Sequence, residues 1–197
     1  MKQGSQGELS SHLAAYRPGW SLPRAFYSDE TIYRADLEQV WRKGWLFAGH
    51  GCELKKPGDW LTLQVDTDSV IVIRGEDGAV RALHNVCRHR GSQIVPPGRG
   101  SAKRLVCPYH QWTYDTTGAL TFCRGMHEFD RSQFGLKAVH CEAIEGLIFV
   151  CLADKPLHRD TRLEPPIRES LKHPAGNPPQ LMHYLATCRG LEPAHHV

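Results

Sequence analysis

Between residues 28 and 44, apolar residues recur every three or four positions, which is the period of one face of an α-helix. The stripe consists of Tyr33, Leu37, Val40 and Trp41. Ser28 is a residue type that caps helix N-termini, and Gly44 is a type that ends helices. The pattern therefore predicts a helix over residues 28–44 that packs on the core through this stripe.

After residue 45 the pattern changes to short runs of β-branched and aromatic residues, which are typical of β-strands. The runs occupy residues 60–65, 69–75, 79–86, 137–144 and 147–153. Tight turns are predicted at Asp77-Gly78, Thr117-Gly118 and Glu145-Gly146. Short strands joined by such turns indicate an all-β sandwich or a small barrel.

These changes of pattern divide the chain into segments with different expected behaviour. Residues 1–19 are polar and rich in Gly and Ser, and we expect them to be flexible. Residues 20–44 form a helical lead-in to the β domain, which we place at residues 45–154. Residues 155–197 contain prolines at a density that neither helices nor strand ladders tolerate, so we expect a weakly ordered tail.

Composition and charge exclude several classes of protein. The net charge of +3 is dispersed, and no block of like charges indicates binding to nucleic acid or an anionic membrane. No apolar run reaches the roughly 18 residues that a membrane span requires. The polar N-terminus lacks the apolar core of a secretory signal, so we expect a cytoplasmic protein without membrane or nucleic-acid partners.

Two short segments concentrate the residue types that bind metal ions. Cys87 is separated from His89 by a single residue, and Cys107 from His110 by two, with 17 residues between the pairs. Each pair falls in a predicted loop between strands. Two such loops can converge on one site, to which each contributes one sulfur and one nitrogen.

Three interpretations of this set are open. A structural zinc ion is one, although zinc sites usually pair Cys with Cys and His with His along the chain. A chance combination of buried cysteines and surface histidines is another. The third is a [2Fe–2S] centre in which two cysteines hold one iron and two histidines the other. We favour the third, because alternation of Cys and His lets each loop reach both irons.

The motif C-x-H-x17-C-x2-H resembles the Rieske signature. Its surroundings, NVCRHRG (85–91) and CPYHQWTYDTTGAL (107–120), resemble the Rieske domain of the α subunits of ring-hydroxylating oxygenases. The similarity extends from near Leu22 to near Asp154, and it is greatest to the branch that acts on glycine betaine, choline and carnitine. The resemblance implies a Rieske-type antiparallel β-sandwich with a two-loop cluster-binding subdomain. The ligands that it implies are Cys87, His89, Cys107 and His110.

The resemblance also implies a function and partners. We expect one-electron transfer through the cluster, with a ferredoxin or a flavin reductase as donor. The acceptor in such proteins is a catalytic domain with a mononuclear Fe(II), and residues 155–197 contain no matching set of histidines and carboxylate. We therefore expect no oxygenase activity from this chain alone. The alternative is a stand-alone Rieske ferredoxin, although the helix at 28–44 favours the oxygenase component.

Residues around the motif have more than one interpretation. Arg88 and Arg90 orient the backbone or groups around the cluster, form salt bridges with an adjacent subunit, or form a solvated basic rim, and Gly91 lets the loop backbone turn. Trp112 and Tyr114 either shield the cluster or pack in the core.

Other positions near the motif depart from related patterns or from ligand spacing. Gln111 stands where the family usually has a small residue. Tyr109 replaces one of the extra disulfide cysteines of respiratory Rieske proteins. His84 and Cys123 lack the paired spacing of ligands, and we expect them to be structural.

Overall fold

A computed structural model of the chain describes residues 3–124 and 129–156, and within these ranges the fold is mainly β. The helices are α1 (Gln3–Ala14), α2 (Ala25–Ser28) and α3 (Glu30–Asp36), with a π-helical turn at Leu37–Trp41 and 3₁₀ turns at Gly51–Glu53 and Arg131–Phe134. The strands are β1 (Leu46–His50), β2 (Asp59–Val65), β3 (Asp68–Arg74), β4 (Val80–His84), β5 (Arg99–Ser101), β6 (Leu105–Val106), β7 (Thr113–Tyr114), β8 (Leu120–Phe122), β9 (Ala138–Ile144) and β10 (Leu147–Cys151).

The strands form two antiparallel sheets. The larger has seven strands in the order β1-β10-β9-β4-β3-β2-β5, and the smaller has three in the order β6-β7-β8. The predicted mainly β class and antiparallel architecture are thereby confirmed. The smaller sheet and the two loops that carry the Cys and His residues form the predicted two-loop subdomain.

Strand β3 is an inner strand of the larger sheet, and both of its faces are buried. Ile71 and Ile73 join a core cluster that also contains residues of the smaller sheet, whereas Val70 and Val72 join a cluster on the opposite face. All four side chains are fully buried. Burial on both faces explains why this strand has a continuous apolar run instead of alternation.

The three predicted turns are confirmed. They connect β3 to β4, β7 to β8 and β9 to β10. At the last of them, Glu145 and Gly146 both have positive φ, 48° and 86°, as a two-residue hairpin turn that matches strand twist requires.

The predicted helix at 28–44 is wrong in its start and in its buried face. Asp29 is the N-cap of α3, because its carboxylate accepts hydrogen bonds from the N–H groups of Thr31 and Ile32, whereas Ser28 ends α2. Of the predicted stripe only Leu37 is buried, together with Ile32.

For the residues that follow Leu37, the reason for the wrong face is the π-helical turn. The N–H of Arg42 donates to the carbonyl of Leu37, five residues back. The extra residue per turn rotates the following side chains by about 100° relative to an α-helix. Val40 and Trp41 are therefore exposed by 58% and 50%.

The N-terminal helix α1 was not predicted, because its sequence has no apolar period. The flexibility of residues 1–19 stays a prediction. The predicted tail at 155–197 lies outside the described residues except for Lys155 and Pro156. Within the described ranges, no helix combines the length and apolar character that a membrane span needs.

Candidate metal centre

The two loops that carry the predicted ligands meet at their tips. The imidazole rings of His89 and His110 lie 4.7 Å apart between centroids, at an interplanar angle of 72°. Cys87 and Cys107 are each 2% exposed. Burial raises the pKa of the Cys87 thiol, and the neighbouring Cys107 raises that pKa further. The structure thus brings all four residues to one place, with buried sulfurs beneath partly exposed imidazoles.

The first loop is closed by two backbone hydrogen bonds at its cysteine. The N–H of Cys87 donates to the carbonyl of Ser92 at 2.8 Å, and the N–H of Gly91 donates to the carbonyl of Cys87 at 3.0 Å. Gly91 has a φ of 72°, so the predicted role of this glycine in turning the loop is confirmed.

The second loop repeats this closure. The N–H of Cys107 donates to the carbonyl of Trp112 at 2.8 Å, and the N–H of Gln111 donates to the carbonyl of Cys107 at 3.0 Å. Gln111 has a φ of 61° and is therefore the counterpart of Gly91. The residue that departs from the family pattern thus adopts the left-handed conformation of its counterpart, and the geometry of the loop is kept.

The inner nitrogens of the two histidines are without partners. Nδ1 of His89 and Nδ1 of His110 are buried, and neither has a hydrogen bond. Buried polar atoms in proteins are nearly always paired, so two adjacent unpaired ones indicate a missing binding partner. Glu53 Oε2 also lacks a hydrogen bond but forms an ion pair with Arg99. Neither His89 nor His110 forms an ion pair of this kind among the described residues.

The donor set fits a cluster with two irons. Two thiols and two imidazole nitrogens converge from opposite loops, and a Rieske [2Fe–2S] centre takes two sulfur ligands at one iron and two nitrogen ligands at the other. Among the described residues, no group of three or more His, Cys, Asp and Glu could hold a single metal ion. A Rieske cluster requires only two protein donors at each iron.

Tyr114 touches the site directly, which sequence reasoning did not establish. Its hydroxyl oxygen lies 3.3 Å from the Cys87 sulfur and accepts a hydrogen bond from the N–H of Arg88 at 3.1 Å. Because that oxygen already accepts from the backbone, its own proton is available to the sulfur. Burial raises the pKa of Tyr114 strongly, so the hydroxyl stays protonated.

Aromatic rings cover both histidines. The indole of Trp112 stacks on His89 with centroids 4.9 Å apart and an interplanar angle of 6°, and it is 2% exposed. The ring of Tyr109 lies 3.8 Å from that of His110 and is 60% exposed. Buried Trp112 therefore covers one face of His89 within the protein, whereas exposed Tyr109 covers His110 at the surface.

Asn85 fastens the first loop to the sheet, and sequence reasoning gave it no role. Its Oδ1 accepts hydrogen bonds from the N–H groups of Ile94 and Val95, each at 3.0 Å. Its Nδ2 donates to the Val95 carbonyl at 2.8 Å and to the Ser69 hydroxyl at 3.1 Å. The side chain is fully buried. The one signal in the sequence is a polar residue at the end of an apolar strand.

The two residues that lack ligand spacing occupy other elements of the fold. His84 ends β4 and is half-buried, and burial lowers its pKa. Cys123 is 5% exposed and belongs to the apolar core beneath the loops.

Comparison with known proteins identifies the type of domain. Residues 44–138 match the family model of the Rieske [2Fe–2S] domain. The chain is 44% identical over 139 residues to the glycine betaine monooxygenase oxygenase subunit of Pseudomonas aeruginosa, covering 70% of the chain and 32% of that subunit. It is 44% identical over 137 residues to the chlorobenzene dioxygenase subunit alpha of a Cupriavidus species, covering 68% and 30%.

A solved structure has the same fold. The quaternary ammonium Rieske monooxygenase in complex with L-carnitine superposes with a TM-score of 0.69 at 31% identity, covering 77% of this chain and 44% of that one. The chain spans about a third of the length of the curated relatives it matches. The resemblance found in the sequence is confirmed, and the chain contains a Rieske [2Fe–2S] domain of the type found in the oxygenase subunits of Rieske monooxygenases and dioxygenases.

Proposed function

We propose that Cys87 and Cys107 bind one iron of a Rieske [2Fe–2S] cluster and that His89 and His110 bind the other through Nδ1. The observation that carries this proposal is the pair of buried, unpaired Nδ1 atoms beside two buried thiols. Iron at these positions would satisfy both nitrogens, and it would bind the two buried sulfurs as thiolates whose charge the metal compensates.

When bound, the cluster supplies one-electron redox chemistry. The chain's own residues set its surroundings. Tyr114 offers a hydrogen bond to the Cys87 sulfur, and Trp112 excludes water from one face of His89. The imidazoles are partly exposed whereas the sulfurs are buried, so electrons would leave and enter at the loop tips.

We infer that the chain is the Rieske part of an oxygenase. A ferredoxin or a flavin reductase would supply electrons, and a catalytic domain with a mononuclear iron would accept them. Support comes from relatives that are oxygenase subunits, of whose length this chain covers 32% and 30%. We propose that the complete enzyme acts on a quaternary ammonium compound such as glycine betaine and that it is located in the cytoplasm. We expect no oxygenase activity from these 197 residues alone.

The test is the composition and spectrum of the purified chain. We expect a red-brown protein with about two irons and two sulfides per chain and, after reduction with dithionite, an EPR signal of a [2Fe–2S] cluster with mixed nitrogen and sulfur ligation. A colourless protein that contains zinc and no sulfide would overturn the proposal and favour a structural zinc site.

A further inference from the structure

The larger sheet curls so that its two outer strands come close to each other. β1 and β5 stand at opposite ends of the strand order. A Cβ at Gly49 of β1 would nevertheless lie 2.8 Å from a methyl carbon of Leu61 in β2 and 3.0 Å from a carboxylate oxygen of Glu53. Leu61 is in turn the register partner of Arg99 in β5. Glu53 and Arg99 therefore lie on the two sides of a seam between the outer strands.

An ion pair joins the two sides of this seam. Glu53 lies in the 3₁₀ turn that follows β1, and its carboxylate binds the guanidinium of Arg99. The other carboxylate oxygen accepts a hydrogen bond from the N–H of His50 at 2.8 Å. We call Glu53 and Arg99 the edge pair. Because the Glu53 side chain is only 5% exposed, loss of Arg99 would leave a buried charge without the cation that compensates it.

A short and stiff segment connects the edge pair to the first metal-binding loop. Arg99 begins β5, and the residue before it is fixed to β2 by two hydrogen bonds. The N–H of Gly98 donates to the hydroxyl of Thr62 at 2.7 Å, and the N–H of Thr62 donates to the carbonyl of Gly98 at 2.9 Å. Pro96 and Pro97, which precede Gly98, have φ angles fixed by their rings. A displacement of Arg99 is therefore passed along the chain and is not absorbed locally.

The far end of this segment packs beside the sulfurs of the metal centre. Ile94 and Val95 are buried, and they belong to the same core cluster as Cys87 and Cys107. The apolar shell around an iron–sulfur centre controls the access of water and, through it, the reduction potential. The position of these two side chains therefore affects how well water is excluded from the sulfurs.

We propose that Glu53 is a positioning residue for the metal centre, which acts through Arg99 to hold residues 94–98 against the two sulfurs. This inference rests on the proposed function and adds a residue outside the metal-binding motif. Breaking the edge pair frees β5 from the seam and admits water to the sulfurs. Reduction adds one negative charge to the cluster, and water stabilises that charge, so a loosened segment makes the cluster easier to reduce.

Amide hydrogen exchange of the oxidised protein tests the first step. In E53Q and in R99Q the amides of residues 94–102 should exchange about tenfold faster than in the unmodified chain, whereas those of β3 should change by less than about twofold. R99K keeps the cation and should restore most of the protection. D77N is the matched control, because it breaks the ion pair between Asp77 and Arg81 outside the seam. It should leave exchange over residues 94–102 unchanged.

Redox titration followed by EPR tests the second step. E53Q/R99Q removes one charge of each sign, so direct electrostatic effects on the cluster largely cancel, and what is left reports the access of water. We expect its reduction equilibrium to rise by about twofold or more, which is about 18 mV at about 59 mV per tenfold change for one electron. D77N/R81Q makes the same change of charge at the other ion pair and should leave the potential unchanged.

The outcomes separate this inference from the proposed function. An unmodified chain without the EPR signal of the cluster contradicts the proposed function, and hydrogen exchange then still shows whether the edge pair holds the segment. Exchange over residues 94–102 that is as slow in E53Q and R99Q as in D77N overturns the inference. Faster exchange together with equal potentials in the two double variants also overturns it, because the edge pair would then stabilise β5 without acting on the metal centre. Should E53Q fail to fold, the comparison of R99Q with R99K decides.

Discussion

The hydroxyl oxygen of Tyr114 lies 3.3 Å from the sulfur of Cys87 and is held there by the backbone N–H of Arg88. A hydrogen bond to a ligand sulfur withdraws negative charge and therefore stabilises the reduced cluster more than the oxidised one. Tyr114→Phe removes only this hydroxyl. We expect the reduction potential to fall by about 50 mV, which corresponds to a hydrogen bond of about 1 kcal/mol.

Redox titration followed by EPR measures this change. Tyr109→Phe is the matched control, because Tyr109 stacks on His110 through its ring and has no hydroxyl contact with either sulfur among the described contacts. Its potential should stay within about 10 mV of the unmodified chain. Equal shifts in both variants would mean that the Tyr114 hydroxyl does not tune the centre.

The four proposed ligands should be individually indispensable. Replacing either cysteine by Ser or either histidine by Gln removes one of only two donors at an iron, so the cluster should not assemble. Visible absorption and iron content measure its loss. Cys123→Ser and His84→Gln are matched controls, since each changes a residue of the same type nearby, and both should keep the cluster. Loss of colour in a control variant comparable to that in a ligand variant would contradict the assignment.

Asn85 should be a positioning residue for the first loop. Asn85→Ala leaves the N–H groups of Ile94 and Val95 buried without acceptors, and each such loss costs about 1–3 kcal/mol. We expect the free energy of unfolding to fall by about 2–4 kcal/mol, measured by urea denaturation under anaerobic conditions. Ser69→Ala removes one partner of the same side chain and should cost about 1 kcal/mol. A smaller effect for Asn85→Ala than for Ser69→Ala would contradict this role.

Sequence reasoning predicted the features that depend on local pattern. The strands at 60–65 and 69–75 and the turn at Glu145-Gly146 are encoded by neighbouring residues, and so is the paired spacing of the metal-binding motif. The predicted buried face of the helix was wrong beyond Leu37, because the apolar period does not encode the π-helical turn at Leu37–Trp41.

The roles that were missed depend on distant contacts. Tyr114 reaches Cys87 from a strand 27 positions away, and Asn85 joins β3 to the far end of the first loop. A single sequence gives no sign of such pairs, since only the folded chain brings them together.

The two loops also predict that glycine is favoured over a residue with a side chain at both of their equivalent positions. Gly91 has a φ of 72° with open space where a Cβ would lie, so Gly91→Ala introduces backbone strain without a clash. We expect it to destabilise the chain by about 1 kcal/mol. Gln111 adopts the same left-handed conformation with a side chain, and Gln111→Gly should stabilise the chain by about 0.5 kcal/mol, since the relieved strain exceeds the added freedom of the unfolded state.

The midpoint of anaerobic urea denaturation measures both effects. Gln93→Gly is the control for the generic cost of glycine, because Gln93 is exposed in the first loop and is not among the residues with positive φ. It should destabilise the chain by about 0.5–1 kcal/mol. The sign at Gln111 is decisive: if Gln111→Gly destabilises the chain as much as Gln93→Gly does, then the second loop does not hold the left-handed residue that makes it the counterpart of the first.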